Sequence, residues 1–176
     1  IVTAIDYATM AYKIAKKSER CNFAFYNKEI HDKTIKEREI ESTMVSALAK
    51  GEFVVYYQPK FDLSSNKMVG AEALARCITP NKIIIPPIEF IPLFERNGFV
   101  CELDLYMFES VCQNIEKWLS CNIEVVPISV NFSRLHLADI NFLDKLVSII
   151  NKYNVPSNLI EIELTESTFF ENFDIL

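Results

Sequence analysis

The chain has 176 residues, of which 50% are apolar and 24% charged, and it carries a formal net charge of −6 at pH 7. That length suits about one domain with a sizeable core. The acidic balance argues against binding a DNA or RNA polymer, which needs basic surface, but it leaves room for an anionic ligand in a local pocket served by metal ions. No apolar run is long enough to cross a bilayer, and no secretory signal opens the chain. Cys21, Cys77, Cys101, Cys112 and Cys121 form no CxxC pair, and His31 and His136 stand far apart, which argues against structural zinc. The odd number of cysteines favours free thiols in a reducing cytosol.

Residues 5–17 read as a helix, with Ile5, Ala8, Ala11 and Ala15 on one face and lysines at its C-terminal end. "NFAFYN", residues 22–27, alternates like a short strand. A helix and one strand cannot make a core, so this opening reads as the tail of another domain. Residues 32–50 read as a charged amphipathic helix. Ile40, Met44 and Leu48 recur every fourth position, and Gly51 is placed to end it. Its charges suit a solvated surface or a linker helix that pairs with a partner.

"FVVYYQPKFD" and "KMVGAEALAR", joined by the turn signal "LSSN", predict a β-hairpin. Taken alone, "AEALAR" suits a helix equally well, because Ala, Glu and Leu are strong helix formers. Its shortness, its hairpin partner and the following "TPN" favour a strand. Prolines near its start and Gly98 after its end predict a short helix from Phe90 to Asn97. Residues 102–119 predict a longer helix with Leu105, Phe108, Cys112, Ile115 and Leu119 buried. "IEVVPISVNFS" reads as a strand, and residues 141–152 as a helix burying Leu143, Leu146, Val147 and Ile150. "LIEIELTES" reads as a further strand. Strands alternating with helices imply parallel pairing through right-handed crossovers. The expected fold class is therefore α/β, a truncated part of a TIM-like (β/α)8 barrel. A full barrel needs about 250 residues, so the chain is expected to hold about half of one.

Alternate strand residues share a face. Glu72, Leu74 and Arg76 fall together on one side of their strand, and Ala71, Ala73 and Ala75 fall on the other, where a helix can approach closely. Ser129, Asn131 and Ser133 repeat the habit in the next long strand, as do Glu161, Glu163 and Thr165 in the last. Glu72, Asn131 and Glu163 can thus converge at the strand ends where barrel active sites gather. Two carboxylates and an amide oxygen are hard ligands suited to Mg²⁺, Mn²⁺ or Ca²⁺. Such cations with a nearby arginine suit phosphoester chemistry, Arg76 gripping phosphate through its planar fork. Solvated polar faces on three strands, and a structural ion pair for Arg76, are the alternatives.

"YYQPKFDL", "GAEALAR", "IPPIEFIPLFERNG", "ELDLYMFE", "PISVNFSRLHL" and "IEIELTES" resemble, in order and spacing, the first half of the EAL-domain family over residues 32–168. "MAYKIAKKSERCNFAFYN" resembles the end of a GGDEF domain, without the GGDEF signature itself. The resemblance implies a GGDEF-like tail over residues 1–28 and the N-terminal half of an EAL barrel over residues 29–176, with an antiparallel first strand. Helix 32–50 would be the linker. It implies hydrolysis of the second messenger cyclic di-GMP to linear pGpG, with Mg²⁺ or Mn²⁺ in a two-metal site of the complete domain. Glu72, Asn131 and Glu163 would be metal ligands, and Glu166 would hold a catalytic loop. Gln58, Leu74, Arg76 and, less firmly, Asp104 would contact the dinucleotide.

The resemblance also implies a cytoplasmic protein, homodimerisation through the EAL domain, and upstream GGDEF and sensor domains, with a membrane tether upstream left open. Cys77 stands where an aromatic residue often follows the arginine, and Thr79 and Ile83 replace a frequent His and Gly. The family's paired aspartates, lysine, further glutamate and late glutamine are expected beyond Leu176, so the fragment itself is expected to be inactive. A degenerate EAL domain, acting as a cyclic di-GMP receptor or protein-interaction module, is the alternative reading.

Overall fold

A computed structural model of the chain describes residues 2–17 and 23–164. They form two compact units, with the division between Ser46 and Ala47.

The first unit holds helix α1 (Val2–Lys17) and most of helix α2 (Lys28–Ala49). Ala11 and Ala15 of the predicted stripe are buried, but Ile5 and Ala8 are exposed. The strand expected in "NFAFYN" does not form: residues 23–27 have no regular structure. Local bonding explains this. The Asn27 side chain accepts from the Ile30 amide at 2.8 Å and so caps the start of α2. Tyr26 stacks on Tyr7 with ring centroids 4.1 Å apart, and His31 meets both rings edge-on. Phe23 and Phe25 stay exposed.

The second unit is built on a sheet in the order β1-β2-β4-β5. Strand β1 (Phe53–Asp62) and strand β2 (Lys67–Ile78) form the predicted hairpin, antiparallel, with Gln58 opposite Glu72 and Lys60 opposite Gly70. Asp62 organises the connecting turn by accepting from the amides of Ser64 and Ser65. Strand β4 (Ile128–Phe132) runs parallel to β2, pairing Glu72 with Ser129. Strand β5 (Ile160–Leu164) runs parallel to β4, pairing Asn131 with Glu163. A two-residue strand, β3 (Ile84–Ile85), which the sequence did not announce, pairs with the end of β2. Strand β4 is shorter than "IEVVPISVNFS" suggested, because residues 123–127 stay outside the ladder. Together with the helices after β2 and β4, this arrangement matches part of a TIM-like barrel with its first strand reversed.

Helix α3 (Pro87–Asn97) begins three residues before the predicted start, because Pro87 suits a first helical turn. It ends where Gly98 takes φ 82°, a left-handed geometry that glycine adopts without steric cost. Helix α4 (Val100–Ser120) lays Phe108, Val111, Cys112 and Ile115 on the alanine side of β2 and β4. Ala71, Ala73, Val130 and Phe132 complete that layer, all at 7% exposure or less. Each large side chain buried there contributes about 1.5–3 kcal/mol. Leu119 of the predicted stripe is instead 36% exposed, one turn past the end of the layer.

Helix α5 (Phe142–Lys152) departs further from expectation. Leu146 is buried and Ile150 packs against the core, but Leu143 and Val147 are 68% and 54% exposed. The buried stripe runs instead through Phe142, Leu146, Ile149 and Ile150, because Phe142 docks against Phe132 and His136. Lys152 and Tyr153 also hold Glu109 of α4, at 2.6 and 3.0 Å, and fix the helix's rotation.

Candidate functional site

The face of the sheet opposite α4 is polar. The Asn131 amide nitrogen donates to Glu72 Oε1 at 2.7 Å, across the β2–β4 pair. The Lys60 ammonium, arriving from β1, donates to Ser129 Oγ and to Glu163 Oε1, both at 2.8 Å. Side chains from all four long strands therefore meet on one surface. The alternation that buries Val130 and Phe132 against α4 is what turns Ser129 and Asn131 toward it. Glu72, Asn131, Lys60 and Glu163 are half-buried, and Ser129 is fully buried beneath them.

The electrostatics follow the geometry. The hydrogen bond from Lys60 holds the Glu163 carboxyl below its ordinary value, with the Ser129 hydroxyl adding to the effect. The same bond to Glu163 raises the Lys60 ammonium, with the charges of Glu161 and Glu72 contributing further. Lys60 thus sits within the field of three carboxylates.

The remaining predicted residues lie around this group. Gln58 is exposed and directly opposite Glu72. The Arg76 guanidinium donates to the Ala75 carbonyl at 2.7 Å and lies 5.7 Å from the centroid of the Tyr56 ring. Leu74 lines a cavity of about 240 Å³ that Asn131, Asp104 and Pro87 also border. Asp104 is 8% exposed, and its Oδ2 accepts from the Ser133 amide at 2.8 Å and lies 3.1 Å from His136 Nε2. It fastens α4 to the turn after β4. Glu166 lies outside the described residues.

Among the described residues no three His, Cys, Asp or Glu side chains form a metal site by themselves. The groups that do gather are two carboxylates, a hydroxyl and an amide that turns its nitrogen to Glu72, with a hard oxygen on the same side chain. That set fits Mg²⁺ or Mn²⁺ and does not suit softer metals. Turning the Asn131 amide about its Cβ–Cγ bond exchanges nitrogen for oxygen and presents a carbonyl beside Glu72.

Sequence reasoning missed Lys60 and the Asp104–His136 contact, and it set Ser129 on the polar face without its bond to Lys60. A signal for Lys60 was available: it shares a face with Gln58 two residues away. Nothing local announces a partner 103 residues later in the chain.

Comparison with known proteins agrees with this geometry. The family model for the EAL domain matches residues 41–175. The signaling protein YkoW of Bacillus subtilis is 29% identical over 95% of this chain and 21% of its own length. The cyclic di-GMP phosphodiesterase PdeR of Escherichia coli is 28% identical over 97% of this chain and 26% of its own length. The chain therefore spans about a quarter or less of these relatives. The solved PaMucR phosphodiesterase in complex with c-di-GMP superposes with a TM-score of 0.68 at 27% identity, over 77% of this chain and 55% of that one. The FimX EAL domain of Xanthomonas citri, at 18% identity, has the same fold, with a TM-score of 0.67 over 80% of this chain and 54% of that one. A family match over most of the chain, a half-barrel with a reversed first strand, and oxygen donors at three strand positions agree: this chain belongs to the EAL-domain family and is roughly the N-terminal part of such a domain.

Proposed function

We propose that the complete protein hydrolyses cyclic di-GMP to linear pGpG, and that Glu72, Asn131 and Glu163 hold the divalent cations that this reaction needs. The observation that carries the reading is the meeting of Glu72 with Asn131, and of Glu163 with Lys60 and Ser129, on one face of the sheet. PdeR is named as a cyclic di-GMP phosphodiesterase, and PaMucR was solved with c-di-GMP.

A bound Mg²⁺ or Mn²⁺ would supply a nucleophile at neutral pH and neutralise charge on the phosphodiester. The protein's own residues orient the substrate. Arg76 donates one guanidinium nitrogen to the Ala75 carbonyl and offers its other donors to a phosphate oxygen, and Leu74 offers an apolar wall beside Asn131. Gln58, opposite Glu72, adds an amide at the open side of the site. Asp104 acts on the dinucleotide from the wall of the same cavity. Glu166, outside the described residues, is assigned the role of holding a catalytic loop on the strength of the family resemblance alone. These residues supply part of the metal shell, and turnover requires the family's further ligands.

A GGDEF-like tail over residues 1–28 joined to the EAL domain accords with MucR of Pseudomonas aeruginosa, named as a bifunctional diguanylate cyclase and phosphodiesterase, which is 28% identical over 91% of this chain. Pairing of two copies through the EAL domain, an upstream sensor segment and a cytoplasmic location complete the proposal. The test is hydrolysis of cyclic di-GMP by the full-length protein with Mg²⁺ or Mn²⁺, followed by chromatography. Appearance of pGpG, and its loss on chelation, is the expected result. Binding of cyclic di-GMP without hydrolysis would make the domain a receptor instead.

A further inference from the structure

Lys60 is a charged residue at the site for which the proposed chemistry has no role, yet its placement is built. It stands opposite Gly70, and a Cβ at that glycine would come within 3.8 Å of the Lys60 side chain. That is an ordinary contact distance, so the lysine stem lies along the sheet against the glycine without strain. Its ammonium is held by two acceptors at 2.8 Å, the fully buried Ser129 hydroxyl and the Glu163 carboxylate. Glu161 and Glu72 contribute the remaining charges around it.

We propose that Lys60 is a resident counter-cation that holds Glu163 in place and sets how much divalent metal the site needs before it loads. This rests on the reading of Glu72, Asn131 and Glu163 as metal ligands. A cation arriving at Glu163 meets a carboxylate already paired, and it must share or displace the ammonium. Two positive charges within a few ångströms repel, and the pair's half-exposed position moderates that repulsion without abolishing it. Ser129 gives the ammonium a second anchor, so it can stay beside the site after yielding Glu163. Lys60 is thus a positioning residue that raises the threshold for metal and keeps the empty carboxylate from reorganising.

The experiment is Mn²⁺ binding to the full-length protein, followed by the loss of the free-ion electron paramagnetic resonance signal at fixed ionic strength. Lys60→Met, which keeps the stem and removes the charge, should tighten Mn²⁺ binding about three- to tenfold. Lys60→Arg, which keeps the charge, should stay near wild type. The tightening should vanish in a Glu163→Gln background, a coupling that a merely structural lysine would not produce. Unchanged or weaker binding in Lys60→Met overturns the proposal. If Glu72→Gln still loses Mn²⁺ in that case, the metal-ligand reading stands. A wild-type protein that takes up no Mn²⁺ overturns both.

Discussion

The two faces of strands β2 and β4 obey different rules. On one face Ala71, Ala73, Val130 and Phe132 pack against α4 with almost no exposure. On the other, one residue along each strand, Glu72, Ser129 and Asn131 bond to polar partners from neighbouring strands. The first face is held by area and close packing, which tolerate volume-conserving exchange and resist cavities. The second is held by half-exposed hydrogen bonds and one ion pair, which gain little in net stability and cost little when water can replace a lost partner. The packed face supplies rigidity, and the polar face relies on it for placement.

This contrast can be broken most forcefully at Glu72. Glu72→Ala in the full-length protein should cut cyclic di-GMP turnover by more than the roughly 100-fold typical of losing a supporting residue, with little change in unfolding midpoint. A large drop in stability would mean that the polar face carries structure. On the packed face, Phe108→Ala should cost about 3–5 kcal/mol in urea unfolding, because a fully buried ring leaves a cavity. Asp104 tests the boundary between the two, being a charged residue among α4's buried positions. Asp104→Ala strands the Ser133 amide and His136 and should cost about 1–3 kcal/mol. An unchanged midpoint would show that water replaces the carboxylate.

The smallest effect sharpens the comparison through pH. Glu163 is depressed by its bond to Lys60, so its contribution is present above its ordinary value of 4.5 and fades as pH falls through the lower folded value. Lys60 is raised, so its contribution is complete below 10.5 and fades as pH rises through the higher folded value. Both are substantially exposed, so the loss is small and screened by salt. Urea midpoints measured against pH should show both limbs, and Lys60→Met should flatten them. Glu109, depressed by Lys152, leaves some acid dependence in that variant.

The sequence revealed the hairpin, because two-residue periodicity and a polar turn are local signals. The same periodicity sorts Ala71, Ala73 and Ala75 from Glu72, Leu74 and Arg76. It misjudged "NFAFYN", where Asn27 serves a helix cap and Tyr26 a ring stack, choices made by neighbours and not by alternation. On α5, periodicity allowed several stripes, and the docking of Phe142 on Phe132 decided between them. Lys60 meeting Glu163 and Asp104 meeting His136 are contacts between residues 103 and 32 positions apart. Strand order and register create such pairs, and neither is written in a short window.

Gly70 carries a consequence of its own. A methyl group there would press to 3.2 Å on the carbonyl oxygen of Pro127, which accepts from the Ala71 amide at 2.9 Å. It would meet the lysine stem across from it only at 3.8 Å, an ordinary contact, so the strain falls on the β2–β4 join. A side chain at this one position, touching none of the polar residues themselves, would therefore push apart the backbone that seats Glu72 beside its neighbours on β4.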